Sequence, residues 1–78
     1  MRPGDLVQFV GDAGAFDGTW AEQLLPDNLV DDVWLPPGTP PGIYLGRYPI
    51  APGTFDAEVL VNGQVYVVRH RFIKRARS

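Results

Sequence analysis

The groups from which this chain could build a reaction are few. Its aliphatic hydroxyls are Thr19, Thr39, Thr54 and Ser78, its only histidine is His70, and it has no cysteine. His70 sits between Arg69 and Arg71 and can make a hydrogen bond near a turn without acting as a base. No nucleophile, acid and orienting group can be drawn together from this set, and an enzyme is not expected. Asp27, Asp31 and Asp32 could offer oxygens to a cation, but their spacing is not that of a calcium loop, and they read as helix-start or solubilising charges. Gly11, Gly14 and Gly18 are not followed by Lys-Ser/Thr or a long helix, so they make no phosphate-binding fingerprint. No catalytic, cofactor-binding or metal-binding residue is assigned.

Binding chemistry is better represented. Trp20 and Trp34 flank an acidic and apolar stretch, and the segment VWLPPGTPPG (33–42) could lie as a stiff arm in another subunit's groove. Large aromatics are enriched where interfaces hold their energy, and proline-stiffened segments lose less entropy on docking. Phe16, Trp20, Leu24, Leu29, Val33, Trp34, Pro36 and Pro37 are therefore the candidate protein-interaction residues, for a protein partner or for self-association. The competing structural reading folds the same segment back over its own core, adding hydrophobic area to a chain of 78 residues. The alternative partner is nucleic acid. Arg69, Arg71, Lys74, Arg75 and Arg77 form a basic strip, with Tyr44, Tyr48, Tyr66 and Phe72 as candidate stacking surfaces. Against it, Arg69 could simply pair with Asp56, and Arg75 and Arg77 could belong to a frayed tail.

Charge is divided along the chain. Asp5, Asp12, Asp17, Glu22, Asp27, Asp31 and Asp32 face a lone Arg2 in residues 1–39, whereas most bases follow residue 40. That division either steers a partner or satisfies itself when the halves meet. The absence of cysteine removes disulfides and thiolate zinc sites. Apolar runs are too short for a signal-peptide core or a membrane span. The length fits one domain, residues 1–78.

These residues must be positioned by strands. In FDAEVLVNGQVYVV (55–68), Asn62-Gly63 joins two β-forming runs, and both residues tolerate the positive φ of a two-residue type I′ turn. Closure there opposes Val61 to Gln64, Leu60 to Val65, Val59 to Tyr66, Glu58 to Val67, Ala57 to Val68 and Asp56 to Arg69. One face then carries Ala57, Val59, Val61, Tyr66 and Val68, the expected core. The other carries Leu60, Val65 and Val67, too apolar to stand wet, and needs cover from another strand, the long loop or a partner. Pro3-Gly4-Asp5 launches a first strand with Val7 and Phe9 inward. IYLGRY (43–48) is a second, with a bulge expected at Gly46. RHRF (69–72) suits one 3₁₀ turn before a short closing strand. The expectation is five strands, near 5–10, 43–48, 56–61, 64–69 and 73–76. Between them, residues 11–42 form a long acidic, aromatic and proline-rich insertion loop. Thr19-Trp20-Ala21-Glu22 has the form of a capping box for a short helix ending by Pro26, and Asp27-Asn28 could cap a second turn or start an extended arm. Phe16 is either a plug for one end of the core or an exposed contact.

PGDLVQF, the long first loop, GIYLGRY, AEVLVNGQVYVV and RHRFIKRA in this order resemble the small SH3-like barrels. The segment 11–42 is longer and more acidic than such a barrel requires. The resemblance implies a mainly β, five-stranded barrel and a habit of binding, as in phage-encoded and bacterial accessory proteins, ribosomal and transcription-associated KOW modules and Tudor-like domains. It further implies a structural or assembly role in the cytoplasm of a bacterial or phage-infected cell, or in a virion. Fold by itself licenses no function.

Overall fold

The computed structural model describes residues 1–11 and 14–76. It is mainly β, with strands β1 (Leu6–Phe9), β2 (Thr19–Leu24), β3 (Val30–Leu35), β4 (Gly42–Ala51), β5 (Thr54–Val61), β6 (Gln64–Val68) and β7 (Ile73–Arg75). All seven lie in one antiparallel sheet in the order β3-β2-β6-β5-β4-β1-β7. The sheet is not closed: β3 and β7 are its two edges. Five strands and a closed barrel were expected, so both the count and the closure are corrected here.

The hairpin of β5 and β6 has the register that Asn62-Gly63 dictates. Val61 opposes Gln64, Leu60 opposes Val65, Val59 opposes Tyr66, Glu58 opposes Val67 and Ala57 opposes Val68. Asn62 and Gly63 both take positive φ, 50° and 79°, as a type I′ turn demands. The ladder stops there: β6 ends at Val68, and Arg69 leads into the expected 3₁₀ turn, His70–Phe72. Asp56 and Arg69 therefore form no pair. The bulge at Gly46 is present as a register shift between Tyr44 and Gly46.

The segment 11–42 departs most from expectation. Thr19–Leu24 and Val30–Leu35 are not helical turns but the two arms of a hairpin, in register from Thr19/Leu35 to Leu24/Val30. A single 3₁₀ turn, Pro26–Asn28, makes its tip, with Asp27 at a φ of 67°. The capping-box pattern loses because β6 has a second edge to satisfy. Glu22, Gln23 and Leu24 pair with Val67, Tyr66 and Val65, fixing more backbone hydrogen bonds than an isolated turn of helix could. Thr19, Trp20, Val30, Val33 and Trp34 are moreover strand formers.

The core lies on the inner face. Val7, Phe9, Ala57, Val59, Val61 and Val68 are buried as expected, and Tyr66 packs against them half-buried. Ala21, Leu35, Tyr44 and Ile73 join the same cluster. Residues from β1 and β7 thus meet residues from β2 and β3 across one core, so the sheet must curl over itself. Phe16 is half-buried and packs on Phe9, with ring centroids 5.3 Å apart.

Candidate functional site

Strand alternation that places one set of residues on the inner face of the sheet places the other on its outer face. Cross-strand registers connect Val30 to Leu24, Leu24 to Val65, Val65 to Leu60, Leu60 to Ile43 and Ile43 to Leu6. Six strands therefore contribute one apolar side chain each to a single row. Its ends are exposed, Val30 and Leu6 at 47% and 45%, and its middle is half-buried. The hairpin of the long segment extends the sheet and lengthens the row, and in the neighbouring row Val67 is buried at 3% exposure.

Beside the apolar row runs a row of different chemistry. Asp32 opposes Glu22, Glu22 opposes Val67 and Val67 opposes Glu58. Like charges directly across a strand pair repel, so Asp32/Glu22 detracts from stability. Among the described residues the one ion pair joins Arg75 to Asp5 at 3.8 Å, and no base pairs directly with a carboxylate of this row. Replacing both carboxylates, Glu22→Gln with Asp32→Asn, should raise stability by about 0.5 kcal/mol, with the gain shrinking in high salt; denaturant melts at two ionic strengths would measure it.

One register step further, Trp20 opposes Trp34. The indoles meet edge to face with centroids 5.5 Å apart, a favoured aromatic geometry. Both nevertheless face water, Trp20 at 69% and Trp34 at 48% exposure. Gly18 makes room for this arrangement: a Cβ there would come within 2.5 Å of Trp34 Cζ2, and its φ of +101° suits glycine. Below the pair, β6 stops at Val68 while β2 and β5 run on to Thr19 and Thr54. The gap is a cleft of about 670 Å3 whose lining includes Trp20, Glu22, Asp32, Phe55 and Asp56, with Arg69 and Arg71 also at its wall.

The candidate interaction residues thus divide. Trp20, Leu24 and Trp34 share the outer face, and Leu29 is 60% exposed at the hairpin tip. Pro36 and Pro37 are exposed just beyond β3, where Thr39 N–H and its hydroxyl both donate to the Pro36 carbonyl. Phe16 and Val33 are half-buried and pack against the core. Sequence reasoning missed Val30, Glu22 and Asp32 as members of this surface; their signal was an alternation in step with Trp20 and Trp34.

Of the basic residues, Arg69 and Arg71 reach the wall of this cleft, and Lys74 and Arg75 lie at the far edge of the sheet. Arg69 and Arg71 flank or occupy the second 3₁₀ turn, and Lys74 and Arg75 lie on β7, all exposed; Arg77 lies outside the described residues. Of the proposed stacking rings, Tyr44 is buried at 4% exposure, its hydroxyl 3.2 Å from His70 Nε2, and cannot stack on a base. Phe72 is half-buried, with the Arg71 guanidinium 5.0 Å from its ring centroid. Among the described residues, no three His, Cys, Asp or Glu side chains are grouped to hold a metal ion, and no helix is long and apolar enough to cross a membrane. No protein-family model matches the chain, and no match was found among curated proteins or solved structures.

Proposed function

We propose that this chain is a non-catalytic binding or assembly module that works by protein–protein contact through the outer face of β2, β3 and β6. The observation that carries this reading is the exposed Trp20–Trp34 pair, on the same face as an apolar row that crosses six strands and separated from it by the Glu22/Asp32 row. Two large exposed aromatic side chains in contact signal an interface more than scattered ones do, and tryptophan is among the side chains most enriched at interface hot spots. The strand plan we propose is SH3-like, in a sheet that stays open. It is supported by the sequence of first strand, long connection, strand, Asn-Gly hairpin, 3₁₀ turn and short last strand, with the β2–β3 hairpin as this chain's addition. A phage-encoded or bacterial accessory role rests on that likeness alone.

The second reading, nucleic-acid binding through Arg69, Arg71, Lys74 and Arg75, is favoured by their exposure and by the absence of an Asp56–Arg69 pair. One experiment separates the two. Immobilised protein is used to capture partners after nuclease treatment, and the captured protein is purified and titrated against variants. Trp20→Ser with Trp34→Ser should weaken binding by roughly 30-fold or more, the size of a hot-spot loss, while glutamine at Arg69, Arg71, Lys74 and Arg75 leaves it unchanged. Salt-sensitive binding to DNA or RNA that disappears in the glutamine variant, with the tryptophan variant unaffected, overturns the protein-contact reading.

A further inference from the structure

We propose that the free edge of β3 takes up an extended peptide segment of a basic partner as an eighth strand, with the pattern apolar–x–Lys/Arg–x–apolar; the inference rests on the protein-contact reading above and names the partner's chemistry. β3 has a strand on one side only. Leu25 N–H donates to the Leu29 carbonyl, and the β2–β3 register continues from that bond. Alternation along an antiparallel ladder then turns the backbone groups of Asp31, Val33 and Leu35 toward β2, and those of Val30, Asp32 and Trp34 outward. The outward set belongs to the residues on the Trp20 face. An added antiparallel strand would hydrogen-bond to Val30, Asp32 and Trp34, and its own residues opposite those three would lie on that same face.

The side chains along the edge specify what those residues should be. Trp34 and Val30 are exposed apolar groups and call for apolar neighbours. Between them, Asp32 stands opposite Glu22, two carboxylates that form no ion pair within 4 Å among the described residues, although Arg69 and Arg71 line the cleft they border. A Lys or Arg laid across that pair converts a repulsion into an attraction, with the indoles beside it as cation–π acceptors. Spacing by alternate residues gives the stated pattern.

The same charges argue against a second copy as occupant. If two β3 edges paired so that Val30 faced Trp34, Asp32 would face Asp32 of the other copy, with a Glu22 behind each. Acids on an edge strand are a known guard against such self-pairing, and here they leave the edge open to bases. The chain's own Phe72-Ile73-Lys74-Arg75-Ala76 has the required pattern. Its backbone, however, is already engaged: the Phe72 carbonyl accepts from Val10 N–H, and Ala76 N–H donates to the Leu6 carbonyl. Those bonds turn Phe72, Lys74 and Ala76 toward β1, so β7 cannot offer them to a neighbour's β3.

The test uses three capped peptides: Thr-Val-Thr-Arg-Thr-Val-Thr, the same peptide with glutamate for arginine, and the same peptide with the arginine amide N-methylated. The arginine peptide should bind with a Kd of about 0.1–1 mM at low salt, shifting the backbone amide signals of Val30, Asp32 and Trp34 and changing tryptophan fluorescence. Glutamate or N-methylation should each weaken it roughly 10-fold or more. In the Asp32→Lys protein the preference should reverse, with the glutamate peptide binding better. Equal binding of the three peptides, or no shift at about 5 mM peptide, overturns the proposal. Those results would leave the protein-contact reading standing wherever Trp20→Ser with Trp34→Ser still abolishes binding of a captured partner.

Discussion

Gly42→Val should leave the protein largely unfolded at room temperature. Gly42 begins β4 on the inner face, opposite Val7 in β1, and is buried. A Cβ at this position would stand 2.5 Å from the Leu60 carbonyl oxygen and 2.8 Å from both Val59 Cγ1 and Val61 Cγ2. The carbonyl belongs to β5, which is held on both sides by β4 and β6, so it cannot withdraw without breaking a ladder. Val59 and Val61 are β-branched and restricted at χ1, and Val59 is wholly buried, so neither can rotate away cheaply. Overpacking a close-packed core costs about 1–3 kcal/mol, and more where backbone must move. A domain of this length holds only about 4–12 kcal/mol in total. Gly42→Ala, which adds the Cβ alone, should therefore melt measurably lower, and Gly42→Val should show little cooperative transition by circular dichroism. A Gly42→Val protein that melts within a few degrees of the parent would mean that β4 does not lie against β5 at this point.

That close approach was not legible in the sequence, where Gly42 reads as the end of a proline-rich turn. The contrast with Asn62-Gly63 shows what a sequence can carry. There a local constraint, two adjacent residues at positive φ, fixes a two-residue loop; the loop fixes the register, and the register assigns five pairs and both faces. The β2–β3 hairpin has no comparable marker. Its tip is a three-residue 3₁₀ turn around Pro26, and Thr19-x-x-Glu22 offered a local alternative in the form of a capped helix. What selects the strand is non-local: the second edge of β6, more than forty residues away in sequence, pairs with Glu22–Leu24. The same separation hid the outer surface. Trp20 and Trp34 stood out by residue type, but that they face each other beside Asp32, Glu22 and an apolar row depends on a register only the folded sheet supplies. The need for cover on Leu60, Val65 and Val67 was readable, and Val67 is buried while Leu60 and Val65 are half-buried; that the long segment would extend the sheet beside them as two further strands was not.

The aromatic residues of that long segment should separate by experiment into one that holds the fold and two that serve the surface. Phe9→Ala should cost about 3–5 kcal/mol, the range for emptying a phenylalanine site in a core, since Phe9 is 9% exposed and sits with Val7 and Ile73 in the main cluster. Phe16→Ala should cost roughly 2 kcal/mol, less because its ring is only half-buried. The two losses should not add. With centroids 5.3 Å apart and planes tilted by 32°, the rings lie within the range where aromatic pairs couple by about 0.5–1.5 kcal/mol beyond their buried area. Once Phe9 is gone, Phe16 has less to lose, and a double-mutant cycle in urea should return that coupling as a shortfall in the double variant. Trp20→Ala removes a ring that is already 69% exposed, and should cost about 1 kcal/mol or less, the value of its contact with Trp34. Additive losses for Phe9 and Phe16 would detach the first loop from the core. A Trp20→Ala cost as large as that of Phe9→Ala would instead show that the tryptophans hold the fold, removing the reason to assign them to a partner. The ordering Phe9, Phe16, Trp20 follows from burial alone, and it makes the Trp20 face a place where substitutions can change binding while the protein stays folded.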